Sequence, residues 1–132
     1  MININNITDV EAAVPISFDL TLINKSTIFN PGSDIQNIIN YVADKESFIG
    51  MPFELSITPI TLNDVRRFGI NLSGKPIPGY HCVSMWDIST NISFELWFKQ
   101  ALEYIKGLCQ EFNQPHTFVI LLSSDGYTSV KV

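Results

Sequence analysis

Charge is scarce in this 132-residue sequence, where Asp, Glu, Lys and Arg together make up only 16% of residues, against about 25% in ordinary globular chains. With 45% hydrophobic residues the chain has enough apolar side chain to offset the entropy of ordering, which excludes disorder throughout. Basic residues are scarcer still: eight Lys and Arg against thirteen Asp and Glu, a net charge of −5. Their single adjacent pair is Arg66-Arg67. A nucleic-acid binder needs clustered cations for phosphates, so none is expected as a partner. The acids are spread along the chain, so any acidic patch must be assembled by folding.

Cysteine is almost absent. Cys82 and Cys109 fall in apolar settings and read as buried free thiols, although a single disulfide between them stays open. No apolar run approaches the ~20 residues that span a bilayer. The opening Met1-Ile2-Asn3-Ile4-Asn5-Asn6 has neither the basic region nor the apolar stretch of a signal peptide. Together these features predict a cytoplasmic protein with no membrane partner. Length, with no internal repeat or linker, predicts one domain over residues 1–132.

Residues 16–22 alternate apolar and polar with period two and predict a half-buried strand. After the turn Asn30-Pro31-Gly32-Ser33, a helix is expected with Ser33 or Asp34 as its N-cap, Ile35, Ile38, Ile39 and Val42 as its stripe, and Asp44-Lys45-Glu46 at its end. Phe53 to Ile57 predicts a second strand that Pro59 stops. Thr61 then caps a short helix from Leu62 to Phe68, with Gly69 at its C-terminus. Residues 71–79 read as loop and Tyr80 to Met85 as a third strand. The strongest element is a helix from about Ser93 to Phe112. Its Phe94, Trp97, Phe98, Ala101, Ile105, Leu108, Cys109 and Phe112 lie within about 60° of one direction, a core stripe. Leu96 points away from that stripe. Thr117 to Leu122 is apolar without alternation, which favours a strand covered on both faces. Ser124-Asp125-Gly126 signals a hairpin into a last strand, Tyr127 to Val132. The sum is an α+β fold: a mixed sheet of about five strands, three helices packed on it, and a C-terminal hairpin.

Motifs for chemistry are missing. Ser73-Gly74-Lys75-Pro76 lacks the first glycine of a P-loop and puts proline where a hydroxyl should meet the metal. Neither G-x-G-x-x-G nor G-x-S-x-G occurs. His81 and Cys82 are neighbours, so in a strand they face opposite ways and make a poor metal pair. A Cys82–His116 nucleophile and base would need the third and fourth strands side by side. Taken singly, His81 and His116 read as structural or surface residues. No cofactor is expected, no metal ligand and no catalytic residue.

In size, acidity and absence of motifs along the whole chain, the sequence resembles bacterial immunity proteins of the kind encoded beside polymorphic toxins, contact-dependent growth inhibition toxins among them. No segment, Phe53–Ile57 and Trp97–Phe112 included, carries a family signature, so the resemblance transfers no functional residue. It implies a non-enzymatic protein that binds a cognate toxin domain and blocks it through an acidic, aromatic-containing surface. The interface candidates, chosen for expected exposure, are Asp44, Glu46, Asp64, Tyr80, Trp86 and Asp87. A tryptophan beside an aspartate at a strand end suits a partner anchor, or else a lid over the core with Trp86 buried. Two other functions stay open. One is an oligomeric accessory protein of a phage or secretion system, marked by an apolar patch around Leu96. The other is a small-molecule-binding domain or enzyme of unrecognised type, marked by a pocket with convergent polar groups.

Overall fold

Five strands form one sheet in the order β2-β3-β1-β4-β5, and every pairing in it is antiparallel. The computed structural model describes residues 13–22, 30–70, 73–123 and 126–132, with the backbone alone at 73–75. The opening stretch and the Ser124-Asp125 part of the hairpin signal lie outside the described residues.

β1 (Ala13–Thr21) is central and shows why the sheet has two unlike faces. Val14, Ile16, Phe18 and Leu20 are buried under the helices, whereas Pro15, Ser17 and Asp19 point to the opposite face and stay partly exposed. The helix α1 (Pro31–Ile49) begins three residues earlier than expected. Pro31 opens it with a preset φ, and the Asn30 side chain accepts from the Ser33 N–H. It runs on past Glu46 until Gly50, left-handed at φ 97°, closes it by donating to the Glu46 carbonyl.

β2 (Ser56–Asp64) passes straight through Pro59. Among the described residues it pairs only with β3, at the edge of the sheet, and an edge tolerates a residue with no N–H to give. The helix expected over 62–68 is therefore the end of a strand followed by one 3-10 turn, Arg66–Phe68. Of the loop expected over 71–79, residues from Ser73 onward belong to β3 (Ser73–Asp87), while 71–72 are outside the described residues. Ladder pairing with β1 ends at Gly79, beyond which the Leu22 N–H still donates to the Pro78 carbonyl at 3.1 Å. Pro76 and Pro78, with no N–H to give, fit where that ladder runs out. Gly79 is required by close approach: a Cβ on it would lie 2.4 Å from the Leu20 carbonyl oxygen.

The second helix, α2 (Phe94–Glu111), matches its periodicity, capped by Ser93, with all eight stripe residues buried. Both helices pack on the same face and share one core with β1, β3 and β4. Among the described residues the fold thus has two α-helices rather than three, and the sheet is wholly antiparallel rather than mixed.

β4 (Phe118–Ser123) corrects the expectation of cover on both faces. Val119 and Leu121 are buried, but Ile120 and Leu122 are 43% and 54% exposed on the far side. Among the described residues that open face is covered at one end, where Val65, Phe68, Ile70 and Ile77 make a small core of their own. β5 (Gly126–Lys131) closes the hairpin as an edge strand.

Candidate functional site

The titratable groups that converge lie on the open face, beside that small core. Asp19 of β1 is the direct cross-strand partner of His81 of β3, so both side chains point the same way from adjacent strands. Asp19 Oδ1 lies 2.7 Å from His81 Nδ1, and Oδ2 accepts from the Arg67 guanidinium at 3.0 Å. Asp19 is 18% exposed, His81 43% and Arg67 57%, so the carboxylate is the sheltered member and the other two face solvent.

A carboxylate can only accept, so Nδ1 carries a proton, and whenever the ring is neutral the lone pair is on Nε2. Among the described residues Nε2 has no partner. A histidine oriented through Nδ1 by a carboxylate is a competent general base or acid. Arg67 sits over the Phe68 ring at 4.7 Å, which leaves part of its donor fork for an anion.

The backbone beneath this cluster is held by buried polar side chains. Gln114, 3% exposed, donates from Nε2 to the carbonyls of Asp19 (3.1 Å) and His116 (3.0 Å), and its Oε1 accepts from the Thr21 N–H at 2.8 Å. Thr117, fully buried, donates to the Asp19 carbonyl at 2.8 Å. His116 Nε2 donates to the Arg67 carbonyl at 2.7 Å, which ties the arginine segment to the same anchor. Gly69 packs against Pro115 and His116 in the same seam.

The six residues expected at a partner surface do not gather there. Asp44 and Glu46 are exposed on α1. Asp64 ends β2 bound by Arg66, whose hydrogen bonds hold its carboxyl below the usual carboxylate range. Tyr80 and Trp86 are interior residues, 0% and 2% exposed. The Tyr80 hydroxyl donates to buried Asp34 at 2.7 Å, and the Trp86 indole donates to the Ile92 carbonyl at 2.9 Å. Asp87 is half-buried and caps the 3-10 turn Ile88–Thr90 through the Ser89 N–H. Tyr80 and Trp86 failed as surface residues because their even-numbered positions on β3 face the helices. Asp19, Arg67, Gln114 and Thr117 were missed by sequence reasoning. Only the register of β1 on β3 brings Asp19 to His81, and nothing local encodes it.

Cys82 also faces the helices, opposite to His81. Burial pushes its thiol up to about 12, and that of Cys109 likewise, so both are free but inert. β1 separates β3 from β4, which removes the Cys82–His116 arrangement. A groove of about 630 Å³ runs between α1 and α2, bordered by Tyr41, Phe48, Leu96, Lys99 and Glu103. Phe48 and Leu96 are 82% and 46% exposed there. Among the described residues no cluster of His, Cys, Asp and Glu could hold a metal, and no helix is long and apolar enough to cross a membrane.

No protein-family model matches the chain, and no curated protein is similar to it in sequence. Solved structures are similar in fold. A phage SAM lyase in complex with S-methyl-5'-thioadenosine is 10% identical, with 92% of this chain and 89% of that one covered at a TM-score of 0.60. A phage SAM lyase in the apo state is also 10% identical, with 93% and 91% covered at 0.61. The expectation of a non-enzymatic immunity protein is thereby corrected, since the fold shared over nearly the whole of both chains is one that an enzyme uses.

Proposed function

We propose that this chain is a small enzyme of the lyase class that acts on SAM (S-adenosylmethionine) or a closely related sulfonium, in the cytoplasm, at the Asp19–His81–Arg67 cluster. The observation that carries the reading is the near full-length fold similarity to phage SAM lyase, joined to a preorganised carboxylate–imidazole–guanidinium group on the open sheet face. The chemistry suits a protein with few reactive groups. Sulfur in SAM is a sulfonium, so the C–S bond that frees S-methyl-5'-thioadenosine breaks with both electrons going to sulfur and a neutral thioether leaving. As that bond breaks, either the carboxylate of the four-carbon remainder bonds to the carbon that sulfur leaves and closes a lactone, or the neighbouring carbon gives up one proton and an alkene forms. The first route needs positioning alone, and the second sends that proton to His81 Nε2. In both, Arg67 offers donors to the substrate carboxylate and Asp19 supplies negative charge near the cationic end.

Incubating the purified protein with SAM, with products separated by liquid chromatography and weighed by mass spectrometry, tests the reading. Enzyme-dependent S-methyl-5'-thioadenosine with one equivalent of a four-carbon product supports it. Because lactone and alkene are isomers of equal mass, the vinyl proton resonances in an NMR spectrum of that product distinguish them. SAM that decays no faster than in buffer contradicts it.

A second reading, an accessory phage protein working as an oligomer, draws on one feature of the same face. Met85, Ile120, Leu122 and Tyr127, 54%, 43%, 54% and 70% exposed, line one side of the sheet. Analytical ultracentrifugation tests it, and a monomer at high protein concentration would remove it.

A further inference from the structure

We propose that Gln114 and Thr117 are positioning residues for the Asp19–His81 pair; the proposal rests on the reading of that pair as the reactive site. β1 and β4 pair at Ile16 with Leu121 and at Ser17 with Ile120, and go no further along β1. Beyond Ser17 the strands part, and the backbone groups of β1 that would have met β4 need other partners. Two side chains supply them. The Asp19 carbonyl accepts from both Thr117 Oγ1 and Gln114 Nε2, and the Thr21 N–H donates to Gln114 Oε1.

A longer β4 would have made the same backbone bonds without burying an amide and a hydroxyl, groups that cost free energy to remove from water unless bonded. What the parting of the strands provides is a seat. The Pro115-His116 stretch receives the turn at Gly69, with Pro115 Cβ and His116 Cε1 at 3.0 and 3.1 Å from where a Cβ would stand. From there His116 holds the Arg67 carbonyl. Gln114 also bonds the His116 carbonyl, so one buried amide joins the backbone of Asp19 to the segment that carries Arg67. Fixing the Asp19 carbonyl fixes the direction of its Cα–Cβ bond, and hence whether its carboxylate reaches His81 at 2.7 Å.

Thr117→Val, which keeps shape and loses the donor, tests this in the full chain, with Thr117→Ser as the conservative rescue. Two readouts are taken. One is the downfield proton resonance of His81 Nδ1–H in the substrate-free protein, and the other is kcat and KM with SAM. T117V is expected to weaken or broaden the resonance and to lower kcat about tenfold to a hundredfold, with KM within about twofold of wild type. T117S restores both. A folded T117V with an unchanged resonance and an unchanged kcat overturns the proposal. The resonance needs no turnover, so it decides the positioning role even if SAM is not the substrate. Should T117V not fold, Gln114→Met, measured in the same way, decides.

Discussion

Oδ1 of Asp19 lies 2.7 Å from Nδ1 of His81, although 62 positions separate the two residues in the chain. The pairing register of β1 on β3 creates the contact, and Arg67 completes it from a 3-10 turn that crosses the open face. Because the dyad is built on two central strands, its geometry is as rigid as the sheet.

Replacing either member should separate activity from stability. Asp19→Asn and His81→Gln are each expected to lower turnover of SAM by about a hundredfold or more, the usual worth of a positioned acid–base group. Thermal melts of the same variants should shift by the equivalent of about 1 kcal/mol or less, because His81 and Arg67 are well exposed. Activity assays and melts on the same preparations check this.

Tyr80 serves the fold rather than a surface. Among the described residues its hydroxyl is one of two donors to the buried Asp34 carboxylate, the other being the Asn30 N–H. Tyr80→Phe should destabilise the protein by about 1–3 kcal/mol, because Asp34 loses a partner it cannot replace from water. Urea unfolding measures the loss, and no effect would mean that solvent reaches Asp34.

The two thiols fix an alkaline limit. Cys82 is held near 12 in the fold, against an ordinary thiol value of 9.0, because burial disfavours the thiolate. The unfolded chain therefore sheds this proton first as pH rises. Stability from Cys82 is fully present below about pH 9 and is lost progressively towards pH 12. Unfolding free energies measured across that range should fall less steeply in Cys82→Ala with Cys109→Ala. At neutral pH a thiol reagent should label the native protein only as fast as it unfolds.

Gly79 should tolerate no side chain. Gly79→Ala puts a methyl against the Leu20 carbonyl oxygen at 2.4 Å, and both atoms belong to paired strands that cannot easily move. A loss of about 1–3 kcal/mol is expected from urea unfolding, the range for overpacking.

Some of this was legible in the sequence. α2 was, because a 3.6-residue stripe of large apolar side chains and a serine cap agree with each other, and β1 was, because its alternation is clean. β2 was not. Thr61, Asp64 and Gly69 imitate the start and stop of a helix, and Pro59 imitates a strand end, and only the strand's place at the sheet edge removes the conflict. The apolar run of β4 looked doubly buried because Ile120 and Leu122 are chemically like Val119 and Leu121, yet among the described residues the α-helices cover one face. His81 could be singled out from sequence, but its partner could not. Asp19 reads as an ordinary polar position in an alternating strand, and Gln114 and Thr117 acquire their meaning from the point where β1 and β4 part.

Chemical-shift mapping of the isotopically labelled protein with S-methyl-5'-thioadenosine tests most directly whether the open sheet face is the working surface. Saturable shifts centred on Asp19, His81 and Arg67, and abolished in D19N, are the expected result. Shifts confined to the groove between α1 and α2, around Tyr41 and Lys99, or none at millimolar ligand, would contradict the account.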